Sequence, residues 1–409
     1  MSDFYWKDDE VHMHSQDLEV DELPRNVFEV MTSKNRDKWI EAIQKELGEL
    51  QERGVFEETE SDGHGMKSKM FYRMKLNEKL EPIFKARLVA CGYSQVKGID
   101  YNETFSPTTS TLSFHIFLTL TWVFGWIIES IDIANAFLEG DIDYTNYMYL
   151  PQDLTTFLTE NPKIKLRIKL TKSLYGIKQA AKVFNDKVNA HLLKIGFRRL
   201  TNDVCFYVYN NNDDIYLLII HVDDIIIAGR EQKFTELLIN KIKEGFKRIT
   251  KTDNVQKYLG INLKEDQVGY HLSQENYIFK FVNEIFEQNK VKSANIPMSP
   301  AINFRTAIKN DNNESLLPIL GKIRYVVDKT RPDLLFATNL LCTKAVNPPD
   351  VFIQGSVKLL KYLNETKSDS LKLGGTDMEI KLFAFSDASY LIIKLFRQVV
   401  VILYLVKVS

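Results

Sequence analysis

Two adjacent carboxylates interrupt the apolar run LLIIHVDDIIIAG, which spans residues 217–229. An apolar strand, a short polar turn and a second apolar strand form the pattern of a β-hairpin, with the carboxylates Asp223 and Asp224 at its turn. Neighbouring carboxylates repel each other, so either water or a cation must relieve the repulsion. This stretch alone leaves two interpretations open, a solvent-exposed hairpin tip and a cation site.

A third carboxylate, Asp132, stands in the stretch ESIDIANAFLEG, at the end of an apolar strand and just before a helix begins. If that strand lies beside the hairpin, the three carboxylates form a cluster that suits Mg²⁺, which leaves positions open for phosphates and water. Two such ions about 4 Å apart activate an attacking oxygen and stabilise a leaving one. The chemistry indicated is phosphoryl transfer, which needs mainly positioning and charge neutralisation.

The composition is that of a soluble globular protein: 409 residues, 44% hydrophobic, 26% charged and a net charge of −1. Charge is unevenly distributed, because residues 1–23 hold eight acidic residues and residues 163–199 hold eleven Lys or Arg. We expect an acidic, disordered tail over 1–26 and an anionic partner at the basic stretch. Three dispersed cysteines argue against a disulfide framework or a zinc site. The sequence predicts no signal peptide and no membrane anchor.

Hydrophobic periodicity predicts the elements that position the carboxylates. A helix is expected over 35–52, strands over 70–76 and 82–94, and a buried helix or helix–strand pair over 112–128. Strands over 204–210 and 215–222 and helices over 233–246 and 275–289 follow, then a second unit of helices and strands from 316 to 389. The pattern indicates an α+β protein.

Several motifs, in order, resemble the reverse transcriptase of Ty1/copia-type retrotransposons: FKARLVACGYSQVKGIDYNETFSP, IDIANAFLEG, LTKSLYGIKQAAKVF, HVDDIIIAG, and KYLGINL with LSQENYI. The resemblance runs from about Val27 to Tyr390. It implies a right-hand polymerase, with fingers and palm over 27–272, thumb over 273–300, a connection-like segment over 301–380 and a truncated ribonuclease H stub over 381–409. The chain is then expected to be a fragment of a Pol polyprotein.

The resemblance implies an RNA-directed DNA polymerase in which Asp132, Asp223 and Asp224 are catalytic. Asp132 and Asp223 are the expected principal ligands of two Mg²⁺ ions, with Mn²⁺ as an alternative. The implied partners are an RNA template, a DNA primer, deoxynucleoside triphosphates and, in an intact element, other Pol and Gag products. The implied location is cytoplasmic, within a virus-like particle, or nuclear.

Further site residues also follow from the resemblance. Phe137 matches the aromatic residue that disfavours a sugar 2′-hydroxyl, and its alternative role is core packing. Lys85 and Arg87 match the cations that hold the triphosphate, and their alternative role is to form a solvated strand face. The segment bordering nucleotide and template contributes Tyr175, Gly176, Lys178 and Gln179.

The basic stretch is expected to follow the template–primer backbone through salt-sensitive phosphate contacts, and a solvated face is the alternative for each cation. The predicted contact residues are Lys163, Lys165, Arg167, Lys169, Lys172 and Lys182. His221 stands where the family commonly has an aromatic, and both titration beside the carboxylates and simple packing are open.

The C-terminal end departs from the family. The segment FAFSDASY resembles the first ribonuclease H strand, with Asp387 as its first carboxylate, yet residues 391–409 contain no acidic residue. We therefore expect no ribonuclease H activity. Two alternatives to the polymerase remain: a catalytically silent relic that at most binds nucleic acid, and an unrelated metal-binding scaffold.

Overall fold

The structure, a computed structural model, describes residues 23–59, 63–76, 81–161, 165–212, 214–252, 255–286, 293–299, 315–375, 380–389 and 398–407. The α-helices are Val27–Thr32 (α1), Arg36–Glu52 (α2), Thr111–Phe124 (α3), Gln152–Thr159 (α4), Ala180–Lys194 (α5), Gln232–Lys243 (α6), Glu275–Phe286 (α7), Leu317–Lys329 (α8), Leu335–Cys342 (α9) and Asp350–Glu365 (α10).

The strands are Phe56–Thr59 (β1), Ser68–Leu76 (β2), Pro82–Ala90 (β3), Ile127–Ile133 (β4), Asp141–Tyr149 (β5), Arg167–Lys172 (β6), Arg198–Arg199 (β7), Phe206–Asn211 (β8), Asp214–His221 (β9), Asp224–Gly229 (β10), Ile249–Thr252 (β11), Lys257–Tyr258 (β12), Ile261–Asp266 (β13), Gly269–Ser273 (β14), Leu371–Leu373 (β15), Ile380–Ser389 (β16) and Gln398–Lys407 (β17). The chain mixes helices with antiparallel sheets, so the predicted α+β class is confirmed.

The central sheet has six strands in the order β11-β4-β10-β9-β8-β7. Its inner strands β9 and β10 are apolar on both faces because each face is covered. Ile225 and Ile227 lie in a core that includes residues of α5 and α6, whereas Ile226 lies in a second core that includes residues of α3. Burial on both faces explains why the strand sequences are nearly continuous apolar runs rather than alternating ones.

The N-terminal part of the chain builds a separate core around α2. Trp39 and Ile43 of α2 are buried at helical spacing, and the Trp39 ring packs edge-on against Tyr72 of β2 and Phe84 of β3. A three-stranded sheet, β1-β6-β5, contributes residues to the same core. The predicted helix over 35–52 is confirmed as α2, and Gly54 follows it with a positive φ of 59°.

The later helices form one hydrophobic core, in which α7 packs with α8, α9 and α10. A four-stranded sheet, β12-β13-β14-β15, lies beside α3, and β16 pairs with β17 so that Asp387 is opposite Val400. The division into fingers and palm, thumb, connection and stub stays a prediction. Within the described ranges, no helix is both long and apolar enough to cross a bilayer.

Candidate active site

The predicted hairpin is present as β9–β10, but its turn is one residue earlier than the predicted Asp223–Asp224 turn. Asp224 is opposite His221 in the ladder, so the turn consists of Val222 and Asp223, and Asp224 already begins β10. Val222 has a φ of 58°, a left-handed conformation that is unfavourable for a β-branched residue. The structure therefore fixes the position of Asp223 through a strained turn.

Asp132 lies on the neighbouring strand β4, directly opposite Asp224 of β10. Asp132 is exposed between the buried residues Ile131 and Ile133, and the Ile133 N–H donates to the Asp223 carbonyl at 3.2 Å. Residues directly opposite in an antiparallel pair project from the same face of the sheet. Asp132 and Asp224 thus project from one face at one end of the central sheet, and Asp223 lies in the adjoining turn.

These carboxylates do not form a ready-made metal cage. Within the described part of the chain, no group of three or more His, Cys, Asp or Glu side chains is arranged to hold a metal ion. The donor type nevertheless fits Mg²⁺, which is bound by one or two carboxylates and completes its shell with water and phosphate oxygens. Asp132 and Asp224, opposite each other on adjacent strands, supply this donor type.

His221 packs at the hairpin against Tyr258. The two rings lie edge to face with centroids 6.5 Å apart. Burial, followed by the nearby charge of Asp224, raises the pKa of Tyr258 well above its ordinary value. A buried tyrosine therefore lies beside the carboxylates, and the geometry favours packing as the role of His221.

The predicted cations Lys85 and Arg87 lie two residues apart on β3 and so project from one side of it. The Arg87 guanidinium donates to the buried Glu46 carboxylate at 2.5 Å and to Asn135 Oδ1 at 2.9 Å. Partial burial, followed by the charges of Arg87 and Lys45, lowers the pKa of Lys85. The structure brings both cations together, but Arg87 is held by protein partners whereas Lys85 is exposed.

Tyr175 and Phe137 contact each other beside this pair. Their rings pack edge to face with centroids 5.8 Å apart, and the Arg87 guanidinium lies over the Tyr175 ring at 5.3 Å. Phe137 is partly buried and packs against two cores, so its alternative packing role is present in the structure. Its predicted action on the sugar stays a prediction.

The other residues of the Tyr175 segment contact protein rather than open space. Gly176 has a φ of 94°, and a Cβ there would collide with the Ala90 carbonyl oxygen at the end of β3. Gln179 is buried and accepts a hydrogen bond from Gln95 at 3.0 Å, and the Lys178 N–H donates to the same Gln95 at 2.7 Å. The close approach predicted for Gly176 is therefore made to the protein's own backbone.

Arg167 differs from its prediction. Only 8% of the residue is exposed, its guanidinium stacks on the Tyr147 ring at 3.7 Å, and it donates to the His64 carbonyl at 2.7 Å. A buried guanidinium that already has these partners is not positioned to contact a phosphate backbone. Arg167 therefore packs between β5 and β6, which replaces its predicted contact with the nucleic-acid backbone.

The remaining basic residues are closer to the surface. Lys165 is exposed, and Lys163 lies outside the described residues. Carboxylates accompany the other predicted lysines: Lys169 with Glu57 at 3.7 Å, Lys172 with Asp141 at 3.7 Å and Lys182 with Asp186 at 2.6 Å. Exposed pairs of this kind are weak, so these lysines can exchange partners with a phosphate at small cost.

Sequence reasoning missed Asn135, Glu46 and Gln95, each of which positions a predicted residue. Asn135 contacts Arg87, Glu46 holds the same guanidinium, and Gln95 orders the segment after Tyr175. The available signal was weak: Asn is one of the few residues that tolerate a positive φ, and Asn135 lies two residues after the strand that carries Asp132.

Comparison with known proteins decides the family. The family model described as reverse transcriptase (RNA-dependent DNA polymerase) matches residues 57–300, more than half of the chain. The chain belongs to this reverse transcriptase family. The predicted resemblance to the Ty1/copia type is confirmed by its relatives, which are transposon Pol polyproteins.

Two plant relatives illustrate the similarity of this reverse transcriptase chain. The retrovirus-related Pol polyprotein from transposon RE1 of Arabidopsis thaliana is 32% identical over 75% of this chain, and that from transposon TNT 1-94 of Nicotiana tabacum is 27% identical over 90%. The chain spans 20% and 28% of the lengths of these relatives. A solved foamy viral protease-reverse transcriptase in complex with double-stranded DNA aligns over 86% of this chain and 52% of its own, with a TM-score of 0.43 and 15% identity.

Proposed function

We propose that this chain is an RNA-directed DNA polymerase that adds deoxynucleotides to a DNA primer 3′-hydroxyl on an RNA or DNA template. The observation that supports this most directly is the pairing of Asp132 with Asp224 beside the hairpin turn that carries Asp223. These carboxylates lie at the end of an otherwise buried sheet, within the residues that match the family.

Asp132, Asp223 and Asp224 would hold two Mg²⁺ ions, or Mn²⁺ in their place. When bound, such ions activate an attacking hydroxyl and neutralise developing charge on the phosphates. The protein side chains do the positioning. Lys85 offers an exposed cation to the triphosphate, while the Phe137 and Tyr175 rings form an aromatic wall beside Arg87.

We propose that the template–primer backbone lies against exposed lysines rather than against Arg167. Lys165, Lys169, Lys172 and Lys182 are the candidates, because each is at least partly exposed. Their phosphate contacts would be independent of sequence and would weaken as salt rises.

Primer extension on an RNA template with Mg²⁺ and deoxynucleotides tests the proposal, with Asp223→Asn as the active-site variant. Asp369→Asn is the matched control, because Asp369 is an exposed residue after α10 and the change removes the same charge. We expect extension by the wild type and by the control, and none by Asp223→Asn. A folded wild type that extends no primer would overturn the proposal and favour the silent relic.

The absence of ribonuclease H activity stays a prediction. Release of labelled fragments from an RNA–DNA hybrid by the wild type, at a rate unchanged in Asp223→Asn, would contradict it.

A further inference from the structure

Asn135 joins three separate parts of the site. Its Oδ1 accepts hydrogen bonds from Arg87 Nη2 at 2.9 Å and from the Tyr175 hydroxyl at 2.8 Å, and its Nδ2 donates to Glu49 Oε2 at 2.5 Å. The first donor lies on β3, the second in the turn before α5, and the acceptor on α2. One side chain therefore connects elements that are distant in sequence.

The backbone of Asn135 has a second role. With φ 57° and ψ 41°, it turns the chain from β4, which carries Asp132, into the short 3₁₀ turn Ala136–Leu138, which carries Phe137. Asn adopts this left-handed conformation more readily than most residues. The position thus requires both a tolerant backbone and an amide side chain.

The hydrogen bonds of Asn135 restrict Arg87 and Tyr175 to one arrangement. The Arg87 guanidinium is anchored on one side by Glu46 at 2.5 Å and on the other by Asn135, and it lies over the Tyr175 ring. Without Asn135 the guanidinium loses one anchor and the Tyr175 hydroxyl loses one acceptor. An arginine side chain has many accessible rotamers, so its order depends on such anchors.

We propose that Asn135 is a positioning residue for the incoming nucleotide, which fixes Arg87 and Tyr175 relative to the strand that carries Asp132. This inference rests on the proposed polymerase function and extends it. Because the hydrogen bonds of Asn135 go to Arg87, Tyr175 and Glu49, its loss weakens nucleotide binding more than it slows the chemical step.

Single-turnover primer extension, measured as a function of deoxynucleotide concentration, separates these two effects. Asn135→Gly is the informative variant, because glycine keeps the left-handed backbone and removes only the side chain. We expect the half-saturating nucleotide concentration to rise about tenfold, as for the loss of one to two hydrogen bonds, while the maximal rate changes less than threefold. Thermal unfolding of the same variant checks that it folds.

Asn135→Asp is the partial variant, because it keeps the oxygen that accepts from Arg87 and Tyr175 and tolerates a positive φ, but loses the donor to Glu49 and adds a like charge beside it. We expect its nucleotide affinity to lie between those of wild type and Asn135→Gly. If Asn135→Gly binds nucleotide like wild type, or loses maximal rate and affinity equally, the inference is overturned while the polymerase function stands. If the wild type itself extends no primer, the proposed function fails and the inference fails with it.

Discussion

Glu139 offers a quantitative test of how the site is supported. Its carboxylate is 4% exposed and accepts hydrogen bonds from Arg53 Nη1 at 2.6 Å and from Lys187 Nζ at 2.9 Å. Arg53 follows α2, Lys187 lies on α5, and Glu139 closes the turn that carries Phe137. This cluster therefore ties two helices to the segment that follows Asp132.

The substitution Glu139→Gln keeps the shape of the side chain and removes its charge. Removing one partner of a buried ion pair costs roughly 3–5 kcal/mol, because the remaining charge is left uncompensated. Arg53 is only 8% exposed on its side chain, whereas Lys187 is 33% exposed and regains water. We therefore expect the lower end, about 3 kcal/mol of local unfolding free energy.

The pH dependence has a defined sign. Burial raises the pKa of Glu139, but the hydrogen bonds from Lys187 and Arg53 outweigh burial and lower it below its ordinary 4.5. A carboxyl whose folded pKa is depressed stabilises the fold above its unfolded pKa and loses that contribution as pH falls through the folded pKa. The difference between wild type and Glu139→Gln should therefore be full at neutral pH and shrink below pH 4.5.

Hydrogen exchange of peptides from α2 and α5 is the assay, because it reports local opening in a chain with several cores. A loss of about 3 kcal/mol corresponds to roughly a hundredfold faster exchange. Glu41→Gln, an exposed change of the same type on α2, is the control and should alter exchange less than threefold. Less than tenfold acceleration in Glu139→Gln at pH 7, or an effect that persists below its folded pKa, would refute the reasoning.

Two further predictions concern contacts between elements. Gly176→Ala should destabilise the protein by at least about 2 kcal/mol, because it adds a strained positive φ and a clash with Ala90; a melting temperature equal to wild type would contradict this. Burial lowers the pKa of His115, whose Nε2 lies 3.0 Å from the Lys329 carbonyl. Stability should therefore fall as pH drops below the ordinary 6.5 of histidine, and His115→Gln should flatten that part of a urea-midpoint profile between pH 7.5 and 5.5.

The sequence pattern was sufficient to predict those helices and strands whose formation depends on residues close together in the chain. The hairpin around Asp223 and the helix α2 follow from apolar periodicity, which depends only on nearby residues. The burial of Arg167 could not be predicted in this way, because it depends on Tyr147 of the paired strand β5. A run of basic residues shows its charge in the sequence but not which face of the sheet each residue occupies.

The same distinction explains why the nucleotide side of the site was only partly predicted. The motif residues Arg87 and Tyr175 were named, yet the residue that joins them, Asn135, lies 48 and 40 positions away from them in sequence. Its side chain is an amide, which is neither titratable nor nucleophilic and so gives no sequence signal of a catalytic role. Such a residue gains a role only when the fold brings its partners together.

Two residues with a left-handed backbone lie close to the carboxylates of the site. Val222 precedes Asp223 with a φ of 58°, and Asn135 follows Asp132 by three residues with a φ of 57°. A left-handed residue costs roughly 1–2 kcal/mol outside glycine and asparagine, so Val222 persists only because the buried ladder of β9 and β10 holds the hairpin. Relaxation at either position would move a carboxylate relative to the Phe137 and Tyr175 rings. The sheet therefore stabilises a turn geometry that the local sequence alone would not adopt, at the one place where carboxylate position matters most.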